Sequence, residues 1–246
     1  MLTPVPVVQL FPTCLVNEIH PDVGMAVVRV LERLGFEVVV PAGFTCCGQP
    51  AYNAGFHADA RQVARYTLDV LAPTDGPIVV PSGSCADMLV HQYAELFKDD
   101  AREAGRARAV ASRCREFSQF VAEQGGTDLV VRLQTRVAYH PSCHLLRGLG
   151  VRTQPQTLIR AIDGAESVPF AEQEECCGFG GLFSIKNADI SGSLLDRKLA
   201  AIMASGADRL VSCDAGCLLH LEGGLRRRSS TIRTQHLAEL IDEALR

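Results

Sequence analysis

The chain has 246 residues, 47% of them apolar and 6% aromatic, with a formal net charge of −4 and one short basic run, Arg226-Arg227-Arg228. That composition can bury a core in one large domain or two small ones, and it lacks the clustered Lys and Arg that a nucleic-acid groove needs. No apolar run approaches the roughly 20 residues that span a bilayer, and the start, MLTPVPVVQLF, lacks the basic segment of an export signal, so a cytoplasmic protein with no membrane span is expected.

The first apolar run, VPVVQLF, ends at Pro12-Thr13-Cys14 and reads as a buried strand with a sharp exit. GMAVVRVLERLGF then carries apolar residues at helical spacing, with Gly35 as its stop. FEVVVPAGF reads as a second strand and leads to Cys46-Cys47-Gly48. ARQVARYTLDVL is helical in pattern, and GPIVVPSGSC is a third short strand running to Cys85. Residues 99–128 are charged and helical in pattern, broken at Gly125-Gly126, and read as an insertion or linker helix. RVAYHPSC starts the pattern again: a strand to Cys143, then Cys176-Cys177-Gly178, helical SLLDRKLAAIMA, strand-like ADRLVSCDAGC to Cys217, and helical HLAELIDEAL. Strands alternating with helices imply βαβ units and parallel sheets.

The ten cysteines stand at positions 14, 46, 47, 85, 114, 143, 176, 177, 213 and 217. Cys14 precedes Cys46 by 32 residues and Cys143 precedes Cys176 by 33; Cys47 to Cys85 is 38 and Cys177 to Cys217 is 40. The offset between copies is therefore 129, 130 and 132 residues at the three landmarks, the mark of an internal duplication. The expected architecture is α/β, with two pseudo-symmetric βαβ-type modules: residues 1–98, a helical linker over 99–133, and residues 134–246.

Each motif cysteine follows the carboxyl end of an expected strand. In an open parallel sheet those ends share one edge, where ligand sites form, and helix N-termini there favour thiolates. Many cysteines at ordered spacings in a reducing compartment bind metal or do redox chemistry. Cys14, Cys46, Cys47 and Cys85 form one expected ligand set; Cys143, Cys176, Cys177 and Cys217 form the other. Four thiolates suit a [4Fe–4S] cluster or a four-cysteine zinc site. Adjacent cysteines are strained on a single ion and fit a polynuclear cluster better, with zinc in one module as the alternative.

The pattern Cys, Cys-Cys-Gly, then a final cysteine resembles the cysteine-rich CCG domain family, which includes the cysteine-rich subunit of heterodisulfide reductase and the iron–sulfur subunits of glycolate oxidase and anaerobic glycerol-3-phosphate dehydrogenase. The resemblance covers nearly the whole chain and is strongest to the lactate utilization protein A family, through strings such as CCGFGGLFSIKNADIS at residues 176–191. It implies an iron–sulfur, electron-transferring part in a complex that oxidises L-lactate to pyruvate, with separate ferredoxin-like and accessory subunits. The family motif ends Cys-x-x-Cys, whereas this chain has Ser82 before Cys85 and Asp214 before Cys217, which favours ligation by four cysteines rather than five.

Other residues read more plainly. Cys114 is expected to be a packed thiol, and Cys213 is either a spare ligand or a packed strand residue. His140 and His144 flank Cys143 where the first copy has Phe11 and Leu15, which points to supporting or structural roles. Gly178-Phe179-Gly180-Gly181 lacks the Lys-Ser/Thr of a phosphate loop and reads as a close backbone approach. Lys186 and Asn187 either bind a carboxylate or belong to a solvated loop. Three functions compete: an electron-transfer subunit for hydroxyacid oxidation, a subunit of the heterodisulfide or thiol–disulfide reductase type, and a zinc-bound scaffold. No strand is followed by G-x-G-x-x-G, so a bound dinucleotide is not expected.

Overall fold

A computed structural model of the chain describes residues 5–246; residues 1–4, where an export signal would begin, lie outside the described residues. Among the described residues eight strands form: β1 (Val7–Leu10), β2 (Glu37–Val39), β3 (Ile78–Val80), β4 (Cys114–Glu116), β5 (Arg132–His140), β6 (Asp163–Ser167), β7 (Arg209–Ser212) and β8 (Arg233–His236). They make two four-stranded sheets of the same order, β2-β1-β3-β4 and β6-β5-β7-β8, and every pairing is parallel. The protein is thus α/β, built from two repeated modules.

Parallel strands need crossover helices, and the amphipathic segments supply them. Pro21–Arg33 follows β1, and His57–Leu71 leads into β3. Ala188–Ala204 leads into β7, and Ala215–Arg227 leaves it. In both sheets the chain moves outward from the first strand to one neighbour, then returns to the other side. The order reverses between β1 and β3, and again between β5 and β7. Crevices for ligands open beyond the carboxyl ends at such switch points. Cys14 and Cys85 flank the first reversal; Cys143 and Cys217 flank the second.

The segment expected as a helical linker is part of the first sheet. Helix Ala101–Arg113 leads to β4, whose residues pair with β3 as Ile78↔Cys114 and Val80↔Glu116, and helix Phe117–Glu123 follows. β4 shows no strand signature in the sequence because Cys-Arg-Glu is too short and too polar to carry a strand period. β5 begins at Arg132, slightly before the expected module boundary.

One core cluster serves both modules. Val8, Leu10, Val27 and Leu31 of the first pack in the same cluster as Tyr139, Leu237, Leu240 and Ile241 of the second. Across this surface the Arg29 guanidinium donates two hydrogen bonds, of 2.8 and 2.7 Å, to the Asp242 carboxylate. Each module also has its own satellite core on the other face of its sheet. Among the described residues no helix is long and apolar enough to cross a membrane.

Because the central core is shared, the two modules should unfold together. Leu31→Ala, at a site with no solvent exposure, is expected to lower stability by about 2–5 kcal/mol while keeping one cooperative transition. Urea unfolding followed by circular dichroism checks this; a two-step transition would contradict it.

Candidate metal centre

The carboxyl edges of the two sheets face one another. Between them lies a cleft of ≈ 180 Å³, open to water-sized molecules, and all eight motif cysteines line it. The spacing suggested two separate edges; the structure joins them in one site.

Local backbone chemistry aims each sulfur. Thr13, just before Cys14, has φ 68° and ψ 154°, an outlying conformation for a β-branched residue, and is buried. It turns the chain sharply from β1 into helix Cys14–Glu18. Gly48 and Gly178 both have positive φ, 85° and 94°. Their N–H groups donate back to Cys46 Sγ at 3.4 Å and Cys176 Sγ at 3.3 Å. A Cβ at Gly178 would meet the Ser191 carbonyl at 2.6 Å, so close approach to helix Ala188–Ala204 also requires glycine there. Behind the first pair, Tyr93 O–H donates to the Cys47 carbonyl at 2.8 Å and Thr67 O–H to the Cys46 carbonyl at 3.3 Å.

Each set of sulfurs is connected. Cys47 Sγ lies 3.3 Å from Cys85 Sγ, and Cys177 Sγ 3.4 Å from Cys217 Sγ. Hydrogen bonding with the Cys14 and Cys47 side chains and with the Gly48 N–H lowers Cys46 to about 3. Cys143 and Cys177 act likewise on Cys176, lowering it to about 2. Those partners move the other way. Their hydrogen bonds to Cys46 and Cys176, then burial, raise Cys14 and Cys143, and Cys47 and Cys177 rise for the same reasons. For Cys217 the hydrogen bond with Cys177 is the largest single influence and lowers it, but burial together with the charges of Asp214 and Cys176 raises it overall. One thiol in each set therefore ionises readily, while ionisation of Cys14 and Cys47 in the first and of Cys143, Cys177 and Cys217 in the second is opposed, since like charges would crowd in a poorly solvated space. A multiply charged cation is what such a donor set lacks, and thiophilic metals supply it. The residues present fit that group.

Ser82 and Asp214 explain the missing fifth cysteines. Ser82 Oγ caps helix Gly83–Asp87 by accepting the Cys85 N–H at 3.4 Å. Asp214 Oδ1 caps Ala215–Arg227 by accepting the N–H groups of Gly216 and Cys217. Asp214 Oδ2 also accepts the Ser84 N–H at 2.9 Å and the Ser82 O–H at 3.2 Å, tying the modules together. Gly83 N–H donates to the Cys213 carbonyl at 3.1 Å alongside.

His144 also bridges the modules. Its Nδ1–H donates to Asp87 Oδ2 at 2.7 Å, and its Nε2 is 3.3 Å from Gln49 Nε2. The hydrogen bond with Asp87 raises His144. Burial works against the Asp87 carboxylate, but hydrogen bonds from His144 and His91 outweigh it and hold Asp87 below its ordinary range.

Cys213 is buried in the shared core, where Tyr139 O–H points to its sulfur at 3.9 Å, and it does not line the cleft. Cys114 opens β4 within the first module's own core, and burial raises it to about 12. Lys186 lies 5.5 Å from the Phe56 ring centroid, away from the cleft lining. Nothing in the sequence pattern marks Lys198, a buried lysine in a helix legible only by its apolar spacing. Its ammonium donates to the carbonyls of Glu172 and Gln173, with its charge acting on Cys177 and Cys176. His140 stands apart: it is wholly buried, with neither ring nitrogen hydrogen-bonded. Burial holds it neutral, down to about 3.

Two duplicated α/β modules that face one another across a thiol-lined cleft define a two-module cysteine-rich protein. The chain belongs to the CCG cysteine-rich domain family, which it matches over residues 8–90 and again over 137–222. It is 40% identical over 243 residues to Lactate utilization protein A of Exiguobacterium sp., covering 98% of this chain and 99% of that one. It is 42% identical over 236 residues to Lactate utilization protein A of Macrococcus caseolyticus, covering 96% of each. A crystal structure of a hypothetical protein from Helicobacter pylori superposes with a TM-score of 0.65 over 99% of this chain and 49% of that one. At 12% identity that likeness concerns the fold alone.

The lowered thiols make a pH-resolved expectation for the metal-free protein. A thiol held near 2 or 3 stays ionised at pH 5, whereas one raised by burial stays protonated. Brief alkylation with iodoacetamide at pH 5, read by mass spectrometry, should label Cys46 and Cys176 first and leave Cys114 unmodified. Equal labelling of all ten cysteines would contradict the assignment.

Proposed function

We propose that this chain is an iron–sulfur subunit that carries electrons in the oxidation of a 2-hydroxyacid, with L-lactate as donor. In this reading it works in the cytoplasm with ferredoxin-like and accessory subunits of a lactate utilization complex. The observation that carries the reading is the pair of four-thiol sets, one from each module, lining a single cleft. The lactate assignment is supported by the name of relatives that are 40% and 42% identical over nearly the full chain.

Cys14, Cys46, Cys47 and Cys85 would hold one centre, and Cys143, Cys176, Cys177 and Cys217 the other. A [4Fe–4S] centre bound there supplies reversible one-electron storage. The chain's own residues prepare that site. Cys47, Cys85, Cys177 and Cys217 are buried, so bulk water is kept from four of the eight sulfurs. The Gly48 and Gly178 N–H groups donate to sulfur and offset part of its negative charge. The Lys198 ammonium does the same from behind the second set. Asp214, Ser82 and His144 hold the two sets in a fixed relation, so that electron exchange between them needs no domain movement.

Anaerobic loading with iron and sulfide should fill both sets. Cys177→Ser is expected to lose about half the iron, as one of two equivalent four-cysteine sites fails, with far-ultraviolet circular dichroism unchanged. Cys114→Ala should lose none. In a deletion strain grown on L-lactate, the wild-type chain should restore growth and a Cys47→Ser, Cys177→Ser double variant should not. Full rescue by the double variant would overturn the electron-transfer reading.

A further inference from the structure

The second four-cysteine set differs from the first in a residue that packing does not explain. His140 is the last residue of β5, and Phe11 fills the corresponding place after β1. Phe11 is a buried hydrocarbon ring within its module's core, so the fold accepts an apolar side chain at this position. His140 is equally buried, yet both its Nδ1 and its Nε2 are without a hydrogen-bond partner. The backbone of Gln173 comes near the ring without closing a hydrogen bond. Burying a polar ring with both nitrogens idle is unfavourable, and a native structure keeps such a group where it has another use.

That use is indicated by its neighbours. A ring nitrogen of His140 and the sulfurs of Cys177 and Cys217 all lie within 4.8 Å of one another. One imidazole nitrogen beside two thiolates is a donor set for iron or zinc.

We propose that His140 is a metal ligand of the second module, giving it a mixed sulfur–nitrogen donor set with Cys177 and Cys217, while the first module's set is sulfur alone. This rests on the metal-binding reading of the cysteines and goes beyond it by making the two sites chemically unequal.

The test uses the full chain, loaded anaerobically in one arm with ferrous iron and sulfide and in the other with zinc alone. His140→Phe places in the second module the side chain that the first already accommodates. In the reduced iron-loaded protein, pulsed electron paramagnetic resonance should detect a histidine nitrogen coupling that is lost in His140→Phe. In the zinc-loaded protein, X-ray absorption at the zinc edge should detect imidazole scattering, lost in the same variant. A nitrogen signal in either arm supports the assignment and identifies the metal that His140 binds. The wild-type spectra decide the point even if the variant folds poorly. Sulfur-only coordination in both arms would overturn the His140 assignment while leaving the cysteine sites standing. A chain that binds neither metal would overturn both.

Discussion

The carboxylate of Asp214 is buried between the modules, and each of its oxygens serves a different one. Oδ1 accepts the N–H groups of Gly216 and Cys217, starting the helix that carries the last cysteine of the second set. Oδ2 accepts from Ser84 and Ser82, in the turn that carries the last cysteine of the first. A buried carboxylate is tolerable only with such a full complement of donors, and charge-assisted hydrogen bonds of this kind are strong and directional. The two sheet edges are therefore held face to face.

The duplication supplies two similar slots, which differ at several matching positions. Ser82 and Asp214 occupy matching positions, yet one is a donor and the other an acceptor, so they complement each other. Glu116 at the end of β4 and His236 at the end of β8 both cap the helix that follows. Burial raises Glu116 to about 7 and lowers His236 to about 4, so both favour the neutral form. Phe11 and His140 form a third unequal pair. At Ser82 and Asp214 an exact repeat would bury like against like; the exchange sets a hydroxyl donor against a carboxylate acceptor.

Much of this was legible in the chain. The cysteine offsets marked the duplication, and the short apolar runs before each motif placed its sulfurs at strand ends. Those signals are periodic or repeated, so they survive without a structure. The face-to-face arrangement was not legible, because its determinants are single residues. Gly83, where a Cβ would meet Leu145 at 2.7 Å, looks like any turn glycine. Asp214 read only as a missing cysteine, and nothing in its helical stretch singles out Lys198. β4 has three residues and no apolar alternation. Long-range polar contacts leave no trace in local spacing, and short buried strands leave very little.

In this arrangement each module's four cysteines would converge on one metal centre, and both centres would open into the same cleft. An anomalous difference map at the iron edge, from crystals of the full chain purified and loaded anaerobically, tests it directly. Two iron peaks per chain are expected, one bounded by Cys14, Cys46, Cys47 and Cys85 and the other by Cys143, Cys176, Cys177 and Cys217. Iron density away from these sulfurs, or none beside an ordered set of thiols, would contradict it.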